Sequence, residues 1–192
     1  MSLEIQNKKE YGVIEIICGS MFAGKTKLLI NKVQNAKNKN LNIKVFKPKI
    51  DIRYDKNKIV SHEKSQISAI PINDSYEIIR FSKEADVVAI DEVQFFNKNI
   101  IQTCIELKKC NIDIILAGLD MDYLGKPFGS MPDLIKIADN VIKLHAICDM
   151  CNKKAHHTYR VSENSENIFL GEKGDYLALC KKCFNSQKLN YV

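Results

Sequence analysis

The chain has 192 residues, 45% of them hydrophobic and 27% charged, with a formal net charge of +6. That length suits one ordinary domain with a small appendage. No stretch approaches the ~18 apolar residues that a membrane-spanning helix needs, and the opening MSLEIQNKKE lacks the apolar core of a secretory signal. A cytoplasmic protein is therefore expected, with no membrane partner. The lysines are scattered, so charge alone does not choose among nucleic acid, a lipid surface and small anions.

In chain order, short apolar runs alternate with longer amphipathic ones. The runs at 13–18, 43–46, 86–90, 112–117 and 141–144 are β-branched and nearly continuous, which predicts strands covered on both faces. Residues 66–72 offer a further strand. Segments 25–39, 75–83, 97–109 and 131–138 read as helices. Such alternation argues for an α/β domain with a mainly parallel sheet and flanking helices. Three polar or Gly/Pro-rich stretches, 47–64, 118–130 and 158–175, read as long binding loops or lids.

The first apolar run leads into Gly19-Ser20-Met21-Phe22-Ala23-Gly24-Lys25-Thr26, a full GxxxxGK[ST] match between a strand and a helix. Backbone N–H groups of such a loop point inward at phosphate oxygens, and the following helix N-terminus favours anions. Lys25 would reach the β- and γ-phosphates of ATP and Thr26 would ligate Mg²⁺. The third strong strand ends in Asp91-Glu92-Val93-Gln94-Phe95-Phe96. An Asp at that position holds the magnesium of P-loop enzymes, leaving Glu92 to accept a proton near the γ-phosphate. A Glu beside the Asp suits a kinase and an ATPase alike.

After His145 the α/β pattern gives way to Cys148-Asp-Met-Cys151 and Cys180-Lys-Lys-Cys183, with 28 residues between the pairs. Two CxxC knuckles supply four thiolates for one tetrahedral Zn²⁺ with no open position, a structural rather than catalytic site. The expected division is a P-loop nucleotide-binding domain over 1–145 and a zinc-binding lasso domain over 146–192. Cys18, Cys104 and Cys110 read as buried small hydrophobes.

Together these motifs resemble the zinc-containing, cellular-type thymidine kinase family, from about Gly12 to Phe184. GSMFAGKT and DEVQFF resemble that family's P-loop and acid motif. Asp51-Ile-Arg53-Tyr54 with Ser61-His62 resembles its DxRY segment, and GLDMDYLGKPFG (118–129) its GLD…PFG loop. The resemblance implies a RecA-like P-loop fold and phosphate transfer from ATP to the 5′-hydroxyl of thymidine, with Glu92 as general base. Asp91 and Thr26 would hold Mg²⁺, and Lys25 and Arg53 would steady the transferring phosphoryl group. Phe95, Tyr123, Phe128 and Tyr176 would wall the nucleoside, with Asp51, Gln94 and Leu119 also at that site. Met21 and Thr158 would meet the pyrimidine 5-methyl group, and backbone around Phe169, Leu170 and Gly171 would read the base edge. A homotetramer inhibited by thymidine triphosphate is implied as well.

Two other classes bear on these motifs. A nucleoside monophosphate kinase needs several arginines for its phosphorylated acceptor, and this chain has only Arg53, Arg80 and Arg160. A nucleic-acid-binding zinc-ribbon ATPase would carry a basic stripe, which the scattered lysines do not form in sequence.

Overall fold

The computed structural model describes residues 10–51, 57–61, 65–161 and 174–189. Of the expected site residues, Arg53, Phe169, Leu170 and Gly171 lie outside these, as does His62.

The first strand, β1 (Ile14–Cys18), runs through the P-loop into α1 (Lys25–Asn38) and then β2 (Ile43–Pro48). A hairpin of β3 (Lys58–Val60) and β4 (Gln66–Ser68) follows, then β5 (Ile70–Ile72) and α2 (Tyr76–Phe81). The chain continues through β6 (Val87–Ile90), α3 (Asn99–Lys109), β7 (Asp113–Gly118), α4 (Met131–Ile137) and β8 (Asn140–Lys143). Six strands form one sheet in the order β5-β2-β6-β7-β1-β8, and every neighbouring pair is parallel.

Alternate side chains leave a strand on opposite faces, and both faces here are buried. Ile16 and Cys18 of β1, Phe46 of β2, Val88 and Ile90 of β6 and Ile114 and Leu116 of β7 join Ile78, Ile100, Cys104, Leu107, Met131 and Leu134 from α2, α3 and α4. On the other face, Ile17, Val45, Ala89 and Ala117 meet Leu29, Ile30 and Val33 of α1 and Ile59 and Ile67 of the β3–β4 hairpin. The four central strands are continuously apolar because neither face sees water, whereas the edge strand β8 is largely exposed, with Val141 at 47%, so the two-sided covering expected for 141–144 does not hold.

The structure corrects further expectations, among them that stretch 158–175 is all loop, since residues 158–160 are strand. Segment 66–72 is two strands: Ile67 turns into the α1 face with the hairpin, while β5 pairs with β2 at the sheet edge. Pro71 lies in β5, and an edge strand is where a residue lacking an N–H donor is tolerated. Stretch 47–64 is not wholly irregular, since it contains β3. Cys110 is exposed, whereas Cys18 and Cys104 are buried. It caps α3, its N–H donating to the carbonyls of Glu106 and Leu107, and the cap position turns its thiol outward. Burial pushes the Cys104 thiol up to about 12, as expected of a packing residue.

The C-terminal module consists of two short antiparallel pairs and a helix. Strands β9 (Ala146–Ile147) and β10 (Lys154–Ala155) flank the first CxxC, and β11 (His157–Arg160) pairs with β12 (Tyr176–Leu179). Helix α5 (Lys181–Leu189) carries Cys183.

The start of β1 is held by close backbone contact. Gly12 donates to Lys108 O at 2.9 Å, and a Cβ there would meet Ile112 O at 1.9 Å. Backbone cannot yield as a side chain does, so Gly12→Ala should cost about 1–3 kcal/mol, the range of overpacked sites, measured as a lowered midpoint in urea unfolding. A midpoint equal to wild type would show that this approach is relaxed at no cost.

Candidate active site

Parallel pairing brings the C-terminal ends of β1, β6 and β7 side by side, so Gly19, Asp91 and Leu119 emerge at one edge of the sheet. Crevices at that edge are where open α/β sheets bind ligands. The P-loop departs from Cys18 with left-handed backbone at Gly19, Phe22 and Gly24. Gly24 then caps α1, its carbonyl accepting from Leu28 N–H at 3.0 Å. The buried Lys25 ammonium donates to Ser20 O at 2.8 Å, which holds it across the loop. One residue on, Thr26 Oγ1 donates to Asp91 Oδ2 at 3.1 Å. A hydroxyl and a carboxylate at the mouth of a phosphate loop are hard oxygen donors suited to Mg²⁺; both expected ligands therefore meet at one point.

Glu92 follows in a left-handed conformation (φ 52°, ψ 40°) that non-glycine residues seldom adopt. Its N–H donates to Asp91 Oδ1 at 3.1 Å, and the chain then enters a 3₁₀ turn over Val93–Phe95. Gln94 is buried beneath this turn. Its Nε2 donates to Glu92 Oε2 at 2.5 Å, and its Oε1 accepts from Leu119 N–H at 3.0 Å. Asp51 is also buried, at the turn after β2, with its N–H on Pro48 O at 2.9 Å.

Beside the carboxylates lies a small apolar cluster separate from both sheet cores. Met21, Leu119 and Tyr176 are buried there, with Phe22, Tyr123 and Phe128 packed against them. Phe95 meets Phe128 edge-on, with ring centroids 5.6 Å apart. Met21 N–H donates to Thr158 Oγ1 at 3.0 Å, tying the P-loop to β11. The loop from Leu119 to Gly129 is an ordered turn: Met121 bridges Pro127, and Asp122 Oδ1 accepts from the N–H groups of Leu124 and Lys126. From the other side, Lys188 of α5 donates to Leu124 O at 2.5 Å.

Arg160 is a site residue that the motifs did not reveal. Its side chain is buried, and its guanidinium lies 3.7 Å from the Tyr123 ring centroid and 5.7 Å from that of Tyr176. Burial pushes the Tyr176 phenol up, and its hydrogen bond with Arg160 pulls the other way. The available signal was period-two alternation: Thr158 and Arg160 share the buried face of β11, while His157 and Tyr159 are only half-buried.

The four paired cysteines converge, with their sulfur atoms all within 4.8 Å of one another and Cys151 and Cys180 Sγ 3.6 Å apart. A ~2.3 Å Zn–S bond places tetrahedral thiolates about 3.8 Å apart, so the set fits an ion of that kind. Local backbone favours the thiolate at two of the four, while hydrogen bonding with the neighbouring Cys180 and Cys151 thiols pushes Cys183 up to about 12. Hydrogen bonding to backbone around Cys183 lowers the Cys180 thiol, and at Cys148 several such bonds outweigh a burial effect that acts upward. Asp149 reinforces the first knuckle, its N–H donating to Ala178 O at 2.9 Å and its Oδ2 accepting from Ala178 N–H at 2.7 Å.

With both centres in view, the comparisons are consistent. The thymidine kinase family profile matches residues 12–184. The chain belongs to the thymidine kinase family. A thymidine kinase of Bacteroides fragilis (strain YCH46) is 46% identical over 180 residues, covering 94% of this chain and 90% of that one. One from Porphyromonas gingivalis (strain ATCC 33277) is 41% identical over 188 residues, covering 96% and 92%. A Rhodothermus sp. (strain ITI 518) thymidine kinase is 39% identical over 173 residues, covering 90% and 81%. The match to the thymidine kinase family includes both the P-loop and the cysteine cluster. No described helix is long and apolar enough to cross a membrane.

Thiolates bind a metal only when deprotonated, so acid must release it. Metal analysis after dialysis should find about one tetrahedral ion per chain at neutral pH, lost on acidification or in Cys180→Ser. Equal metal content in the variant would show that these thiols are not the ligands.

Proposed function

We propose that the site transfers the γ-phosphate of ATP to the 5′-hydroxyl of thymidine, with roles divided as follows. The observation that carries the reading is the position of Glu92. It directly follows Asp91, whose Oδ2 accepts from Thr26 of the phosphate loop, and its carboxylate meets Gln94, whose Oε1 accepts from Leu119 N–H of the apolar, aromatic-walled cluster. ATP would lie along Gly19 to Thr26, with Lys25 against the β- and γ-phosphates. Thr26 and Asp91 would hold Mg²⁺, which supplies charge neutralisation on the phosphates.

Glu92 would take the 5′-hydroxyl proton as O5′ forms its bond to the γ-phosphorus and ADP leaves. Lys25 and Arg53 would balance the charge spread over the transferring oxygens. Met21, Asp51, Phe95, Leu119, Tyr123, Phe128, Thr158 and Tyr176 would enclose the nucleoside, with Phe169, Leu170 and Gly171 reading the base edge. Backbone amides matched to thymine leave a polar group unpaired against cytosine, a cost of ~1–3 kcal/mol, whereas the 5-methyl is worth only ~1 kcal/mol. Cytosine nucleosides should thus be rejected more strongly than deoxyuridine.

The cysteine cluster is read as a structural zinc site within a lasso domain over 146–192, appended to the nucleotide-binding domain over 1–145. By family, the reaction belongs to deoxynucleoside salvage, and a cytoplasmic homotetramer inhibited by thymidine triphosphate is the accompanying proposal.

The test is phosphate transfer from ATP·Mg²⁺ to thymidine, deoxycytidine and thymidine monophosphate, run beside Glu92→Gln. Transfer to thymidine is expected, falling roughly a hundredfold or more in the variant with ATP affinity retained. Transfer to none of the three would sink the kinase reading, and an unchanged variant rate would remove Glu92 as the base.

A further inference from the structure

The resemblance places Gln94 among the groups that contact the nucleoside, but its hydrogen bonds point elsewhere. The residue is 3% exposed and lies under the turn that follows Glu92. A primary amide has one acceptor end and one donor end, and each is committed. Leu119 N–H can only donate, so the acceptor Oε1 must face it, at 3.0 Å. The NH₂ group is thereby turned toward Glu92, whose Oε2 it meets at 2.5 Å. A flip of the amide would set N–H against N–H and oxygen against carboxylate.

The surroundings leave the amide no other place. A Cβ on Gly118 would lie 2.6 Å from Gln94 Oε1, so the end of β7 closes directly on the side chain. A Cβ on Gly129, at φ +52°, would lie 2.3 Å from Gln94 O, so the far end of the 119–129 loop closes on its backbone. Both ends of that loop therefore grip Gln94, and Gln94 grips Glu92.

We propose that Gln94 is a positioning residue that fixes the plane of the Glu92 carboxylate for proton abstraction, relaying to it the position of the loop that walls the nucleoside. The proposal rests on the reading of Glu92 as the base. Glu92 sits in a sparsely populated backbone conformation, and the Gln94 bond fixes one of its carboxylate oxygens there. Fixing Oε2 fixes where Oε1 points. Since Oε1 of Gln94 is held by the residue that begins the 119–129 loop, a displaced loop would misplace the base as well as the pocket wall.

The test uses the full-length protein with ATP·Mg²⁺ and thymidine. Gln94→Met keeps the length of the side chain but makes neither hydrogen bond. It should lower kcat about tenfold or more while the thymidine KM and ATP affinity stay within about threefold, the signature of an interaction used in the transition state. A second variant, Gln94→Asn, keeps the amide but is too short to span both partners, and should lower kcat in the same sense with the thymidine KM little changed. In a Glu92→Ala background, Gln94→Met should add less than about a twofold further loss, because a residue acting through Glu92 has nothing left to position.

Thermal midpoints and ATP affinity establish that each variant is folded. Should Gln94→Met not fold, the kcat-against-KM split in Gln94→Asn decides. A raised thymidine KM at unchanged kcat would overturn the proposal and return Gln94 to the nucleoside contacts. So would full additivity with Glu92→Ala. A Glu92→Ala enzyme as fast as wild type would instead bring down the reading of the base itself.

Discussion

The chemistry of this molecule depends on strand register. Because β2, β6, β7 and β1 run parallel and side by side, Phe46 O of β2 can accept from Asp91 N–H at 3.1 Å, and the residues just beyond the ends of β6, β7 and β1 share one edge. Shifting a strand by one residue would exchange its two buried faces and carry Asp91 away from Thr26. The two apolar cores therefore do more than stabilise the domain. They set the distance between the phosphate loop and the acid pair, a separation that sequence places at 65 residues.

A second layer of constraint comes from the cysteine module. Its core contains Ala146, Cys148, Ala155, Ala178, Leu179, Cys180 and Phe184, and Phe22 and Ala23 of the P-loop pack against it. Phe22 also packs against the pocket cluster of Met21, Leu119 and Tyr176. One P-loop side chain thus touches two compartments, with its backbone left-handed to allow it. His157 stacks on Phe184 at 4.4 Å, and Lys188 reaches Leu124. The module thus buttresses both the phosphate loop and the loop from Leu119 to Gly129.

Much of this was legible in the sequence where the signal was local. The four central strands announced themselves as β-branched runs because each is covered on both faces, and Gly19 to Thr26, Asp91 and the cysteines carry spacing that geometry demands; the run at 141–144 is a strand too, but an exposed edge one. What stayed hidden was non-local. Arg160 gains its role only when β11 pairs with β12 and the chain returns to Tyr123. The split of 66–72 depends on which face Ile67 finds, and α5 follows directly on a metal knuckle with a weakly amphipathic sequence. Gln94 stood in view within the DEVQFF motif. Its partner Leu119 is 25 residues away, and only the fold shows that the amide serves a neighbouring carboxylate.

The dual membership of Phe22 has an energetic consequence. Its side chain packs into the cysteine module's core and into the cluster of Met21, Leu119 and Tyr176 at once, so a truncation there removes contacts from both. Any coupling carried through that side chain would act equally in both directions between the two sites.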